Sequence, residues 1–313
     1  MLMARNQGMD AESNSNGLVI PTSLQDLLLA RLDRVGEAKH VAQLAATIGR
    51  EFSYGLLSAI SPYDEETLER LLGKLISSGL VSVVDGTNES ELYFKHALIR
   101  DIAYQSLLVS QTRIIHRELS SALCEHFPEY KHTQPEIIAY HLTKAASYAE
   151  AIEHWKLAGR RAIGLHAHLE AVAHLQEALG LVEKLPDDNE RKQIELDLNI
   201  LMGGRTIVTQ GYGADKVKEY YSRALQLAEE LENLQLTQKI LFGLEGFHFI
   251  RGDFATARED LNKCLLIANR LDDTASILKV NWSLGEVYFH LGDQPRCQSY
   301  LQRCLNLYYE VKR

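Results

Sequence analysis

Eight of the twelve histidines fall between residues 116 and 174: His116, His126, His132, His141, His154, His166, His168 and His174. Imidazole is the commonest metal ligand and the side chain best suited to moving protons near neutral pH. A helical zinc site would read H-E-x-x-H, with both histidines on one helix face, and that spacing does not occur. His166-Ala167-His168 has no Cys or acid at ligand spacing. These histidines are expected on the surface and between helices, without a metal. Cys124, Cys264, Cys297 and Cys304 form no C-x-x-C pair, so they read as reduced, structural thiols. Phosphate binding through G-x-x-x-x-G-K-[S/T] needs backbone N–H groups wrapped around the anion. The single Gly-Lys, Gly73-Lys74, is followed by Leu75 and has Leu68 where the first Gly belongs. A G-x-S-x-G nucleophile turn is missing too. Acid pairs such as Glu229-Glu230 and Asp187-Asp188 sit on helix faces predicted to be solvated. The chain therefore reads as non-catalytic, with no cofactor of its own.

The elements around these residues are mostly helical. The 313 residues are 46% hydrophobic and 24% charged, the balance of a soluble globular protein. No apolar run approaches the roughly 20 residues of a membrane span. Residues 1–19 lack an apolar signal core, and are expected to be a disordered lead in a cytoplasmic protein. A net charge of −9 lacks the basic surplus of nucleic-acid binders. From Pro21 the pattern turns helical, with Thr22 or Ser23 as cap and Leu24, Leu27, Leu28 and Leu32 on one face. Helices follow over 37–48, 53–60 and 64–78. Next come LVSVV (80–84), the polar turn Asp85-Gly86-Thr87-Asn88 and ELYFK (91–95), the signature of a β-hairpin. Three helices and a two-stranded wing describe a winged helix over about residues 37–96. The helix over 64–78 carries Asp64, Glu65, Glu66 and Glu69 against Arg70 and Lys74. Such an acidic helix is not expected to enter DNA. Beyond Ala97 every segment is expected to be a helix of about 12–18 residues.

A 40-residue offset pairs Gly252-Asp253 with Gly292-Asp293, Leu244 with Leu284, Leu261 with Leu301 and Cys264 with Cys304. Earlier copies place Val217, Tyr221 and Ala224, then Ala171, Leu175 and Ala178, in small–large–small slots. Over residues 134–313 this pattern resembles tetratricopeptide repeats. Helix hairpins stack in that family because none buries its apolar face alone. The resemblance implies that helix A lines the concave face. It carries over Lys239, Phe242 and Phe249 from one repeat, and Lys279, Trp282, Glu286, Phe289 and His290 from the next, as partner-binding positions. Phe242 and Trp282 stand where a clamp for an acidic chain end would have polar residues, so an amphipathic peptide or partner helix is the better fit. The last helix should leave Leu301, Leu305, Leu307, Tyr308 and Tyr309 uncovered. That implies self-association through its uncapped face or continuation in a longer protein.

IPTSLQDLLLARLDRV (20–35), LAATIGREFSYGLL (44–57) and FKHALIRDIAYQSLL (94–108) resemble the arm between the ATPase core and the repeats of bacterial STAND signalling ATPases. Relatives of that type are often fused to adenylate or guanylate cyclase domains. The resemblance implies a regulatory module whose ATPase core is missing or separate, with ATP or ADP acting only through that core. FKHALIRDIA (94–103) is similar to the stretch where a STAND His touches the β-phosphate of ADP. His96 takes that position, with Lys95 and Ala97 replacing the usual Met and Asp. A repeat-containing transcription regulator, or part of an ATP-binding cyclase-type protein, is the alternative. The expected fold is mainly α: lead 1–19, helical arm and winged helix 20–110, linker helices 111–147, then a tetratricopeptide-like α-solenoid over 148–313.

Overall fold

The computed structural model describes residues 22–84 and 91–311, which divide between Ile115 and His116 into two compact units. In the first, helices α1 (Thr22–Asp33), α2 (Ala38–Ile48), α3 (Tyr54–Ile60), α4 (Glu65–Ser77) and α5 (Ala97–Gln105) accompany strands β1 (Glu51–Ser53), β2 (Val81–Val83) and β3 (Glu91–Phe94). The α3 and α4 starts follow from side-chain chemistry. Ser53 accepts from the Leu56 N–H, and Asp64 from the Thr67 N–H at 2.8 Å, each satisfying a first-turn donor. Leu68, Leu71, Leu72 and Leu75 then form the buried stripe of α4.

Two expectations are corrected here. The strands form a three-stranded antiparallel sheet in the order β1-β3-β2, because Phe52 pairs with Leu92 on one side and Val83 pairs with Leu92 on the other. β1 has three residues and one apolar side chain, too few for an alternating pattern to register. The turn expected at Asp85–Asn88 lies outside the described residues. Leu27 is 68% exposed and Leu32 is buried. α1 packs on α5, and only the Leu32 end of its stripe is sealed. The side chain of Leu24 lies outside the described residues.

Beyond these, α6 (Val109–His126), α7 (Tyr130–Thr133), α8 (Pro135–Lys144), α9 (Tyr148–Gly164), α10 (His168–Leu181), α11 (Asn189–Gln210), α12 (Asp215–Glu230), α13 (Leu234–Ile250), α14 (Phe254–Arg270), α15 (Thr274–His290) and α16 (Gln294–Val311) follow. Their lengths run from 4 to 22 residues, wider than expected. Consecutive helices from α8 to α16 pack on one another as an α-solenoid of the tetratricopeptide-like kind. No helix among the described residues is long and apolar enough to cross a membrane.

One turn recurs through this array. Gly252 and Gly292 adopt φ of 76°, and Glu232 and Asp272 φ of 52°. The next residue closes the preceding helix: Asn233 N–H donates to Ala228 O, Asp253 to His248 O, Asp273 to Ala268 O and Asp293 to Tyr288 O. Its side chain then opens the following helix, as Asn233, Asp253, Asp273 and Asp293 accept from Leu236, Thr256, Ser276 and Arg296 N–H. One side chain and one left-handed residue thus serve both helix ends.

Packing inside the hairpins explains the slots. Leu175 lies against Gly159, Tyr221 between Gly203 and Gly243, and Leu301 against Gly285, where an added Cβ would come within 2.9 Å of the opposing ring or branch. Ala171, Ala178, Ala224, Ala257 and Cys264 are fully buried. Leu301 is therefore seated against α15, contrary to the expectation that it would be uncovered.

Candidate functional site

Residues 239, 242, 246 and 249 on α13, and 279, 282, 286 and 289 on α15, advance by three or four and share a helix face. The 40-residue register makes these positions equivalent: Lys239 with Lys279, Phe242 with Trp282, Gly246 with Glu286 and Phe249 with Phe289. Their surroundings differ. Phe249 packs edge-on against Phe254 and His290, with ring centroids 5.4 and 5.2 Å away, and His290 stacks on Phe254 at 5.0 Å. These two residues thus knit one hairpin to the next. Phe289 is 58% and Trp282 53% exposed.

Lys279 sets its ammonium 4.1 Å from the Phe242 ring centroid, a cation–π contact. Gly246 lets the Tyr212 ring approach, since a Cβ there would lie 3.0 Å from it. Between α13 and α15 a cavity of about 480 Å³ is lined by Gln235, Gln238, Lys239 and Phe242 from one helix and Ser276 and Lys279 from the other.

Sequence reasoning missed two features of α13, the half-buried Glu245 and the buried His248. Glu245 stands where the next repeat has Gly285, and burial, with Glu286 nearby, pushes its carboxyl up to about 7 while Lys279 opposes the rise. His248 Nδ1 lies 2.9 Å from Asp260 Oδ2, both buried. Aligning the repeats could have flagged Glu245, an acid in a small slot. Cys264 beside them is raised to about 12, by burial first and then Asp260 and Glu245, so it remains a thiol.

The other sequence candidates are dispersed. His96 is exposed at the N-terminal boundary of α5, and its side chain makes no capping bond. His116 and His141 bury a 2.8 Å Nδ1–Nδ1 hydrogen bond, one ring donating and the other accepting. Burial, then the His116 charge, lowers His141 to about 3. Among the described residues no three His, Cys, Asp or Glu side chains gather as metal ligands.

No family model matches the chain. An uncharacterized protein of Rhizobium meliloti (strain 1021) is 23% identical over 293 residues, which are 93% of this chain and 28% of that protein. The chain thus spans less than a third of that relative's length. Similar solved structures are helical. The tetratricopeptide domain of Arabidopsis FLU is 20% identical over 38% of this chain and 98% of its own, with a TM-score of 0.36. A Signal Transduction ATPase with Numerous Domains with a tetratricopeptide repeat sensor, from Pyrococcus horikoshii, is 14% identical over 92% and 47%, at 0.39. Aspartyl phosphate phosphatase F from Bacillus subtilis is 11% identical over 95% and 77%, at 0.45. At these scores the likenesses carry no argument about activity.

Proposed function

We propose that the chain is a non-catalytic interaction module whose α13–α15 face holds a protein or peptide partner. The observation that carries this reading is the pair of large aromatic side chains, Trp282 and Phe289, each more than half exposed and seven residues apart on one helix face. Exposed aromatics of this kind anchor protein interfaces, and a helical groove takes an amphipathic segment through such anchors. The test uses the emission of Trp282. Trp155 is buried, so Trp155→Phe isolates the exposed indole. Titration of amphipathic fifteen-residue peptides should shift that emission to the blue with saturation, and Phe289→Ala should weaken binding. An emission unmoved by every amphipathic peptide tried would overturn the reading.

The finer proposal is a regulatory part of a STAND-type ATPase. Residues 20–110 would be its winged-helix arm, relaying occupancy of the repeats to a nucleotide domain supplied elsewhere. An exposed His96 fits a contact with a nucleotide phosphate in that domain. The chain alone should then show no micromolar ATP affinity, and measured binding of that strength would contradict the proposal. A cytoplasmic setting belongs to the same reading. Leu305, Tyr308 and Tyr309 on α16, each at least 48% exposed, support self-association. Light scattering that shows only monomer at high concentration would count against it.

A further inference from the structure

A second cavity, of about 570 Å³, lies between α12 and α14 and shares no residue with the one around Phe242. That volume is ordinary for a small-molecule site, about 300–1,000 Å³. Ala228, Thr237 and Leu241 line it and are buried. Thr237 is already committed, since its hydroxyl donates to Asn233 O at 2.9 Å. Residues 263, 266, 267 and 270 advance by three and one along α14 and turn one face to the cavity. That face sets Lys263 and Arg270 on either side of the apolar Leu266 and Ile267. The acids come from other elements, Glu229 from the last turn of α12 and Glu232 from the turn after it. Both signs of charge thus line one cavity with an apolar stretch among them, and none of the four forms an ion pair with another. The arrangement belongs to this repeat and not to the scaffold. At the 40-residue offset, Asn269 replaces Glu229, Glu310 replaces Arg270, Ile277 replaces Thr237 and Asn281 replaces Leu241.

We infer that this cavity binds a small zwitterion whose ammonium and carboxylate are separated by an apolar body. Glu229 and Glu232 receive the ammonium, Lys263 and Arg270 receive the carboxylate, and Leu241, Leu266 and Ile267 cover the chain between. Neither half of the assignment stands alone. A simple cation would meet Lys263 and Arg270 as like charges, and a simple anion would meet the two glutamates. An α-amino acid carries both its charges on one carbon, too close together to serve acids and bases that do not reach each other. Two acids and two bases leave the lining neutral, and a ligand without net charge is neither drawn nor repelled by the chain's −9. The site is separate from the Trp282 face and does not rest on the interaction reading.

The test is calorimetric titration of the full chain with ω-aminohexanoate, ω-aminooctanoate and ω-aminodecanoate, then with the N-acetyl and methyl ester forms of whichever binds best. At an ionic strength of about 0.15 M, blocking either end should weaken binding about fivefold, the scale of a partly exposed ion pair. Lys263→Gln with Arg270→Gln should erase the difference between acid and ester while the preference for a free amine persists. Glu229→Gln with Glu232→Gln should do the converse. The half of the preference that survives in each variant shows that the cavity is intact. Equal affinity for free and blocked forms overturns the zwitterion assignment. No binding of any of the three at about 1 mM overturns the site. Neither result bears on the Trp282 titration, so the interaction reading stands or falls separately.

Discussion

At the residue scale, the half-buried Glu245 and the buried His141 give stability a pH dependence of opposite sign. Glu245 has a folded pKa of about 7 against an ordinary 4.5. The folded state holds the extra proton between those values, so this residue costs stability as pH rises from 4.5 to 7. Glu245→Gln should stabilise the protein by about 3 kcal/mol above pH 8 and by nothing near pH 4, as urea titrations at the two pH values would show. His141 works the other way. Its folded pKa of about 3 against 6.5 means stability is complete above pH 6.5 and falls as pH drops toward 3. The full span is about 4–5 kcal/mol, and His141→Gln should flatten this acid limb. The sequence disclosed little of this. A crowd of histidines between 116 and 174 was visible, but the buried ring-to-ring bond of His116 and His141 joins positions 25 residues apart. Period reasoning cannot place two side chains from different helices at hydrogen-bond distance.

At the element scale, the turns between helices were the most legible feature. Gly252-Asp253 and Gly292-Asp293 repeat in sequence, and each Gly takes the left-handed conformation while each Asp caps the next helix. Glu232 and Asp272 occupy the same backbone conformation without a glycine, which composition alone would not suggest. A left-handed residue bearing a Cβ costs about 1–2 kcal/mol. Glu232→Gly should therefore raise stability by about 1 kcal/mol. Gly252→Ala should lower it by about as much, since nothing lies within 4 Å of a Cβ there and the cost is conformational alone. Thermal unfolding of the two variants checks both signs. Strand β1 was illegible for the opposite reason. It is held by its pairing with β3, a non-local cause with no local pattern.

At the scale of the whole molecule, the helical register carried most of the reading. The small slots at Ala171, Ala178, Ala224 and Cys264 were named from spacing and are fully buried. The shared face of α13 and α15 was legible as a set of equivalent positions, but the sequence could not tell which of them would be exposed. Phe249 and Phe289 are equivalent in register, and only the first lies under a ring of the next repeat, that of His290.

Because α13 and α15 start and stop at corresponding residues, and Asp253 and Asp293 do the same job, the joint after Gly252 and the joint after Gly292 are interchangeable. Excising residues 253–292 would splice Gly252 directly to Asp293 without a new loop, a new cap or a change of phase. Such a shortened chain should fold cooperatively, lose circular-dichroism signal in proportion to the two helices removed, and melt at a lower temperature. In that sense length here is a count of tiles, and the one seam that would need redesign is the meeting of Leu301 with Glu245 in place of Gly285.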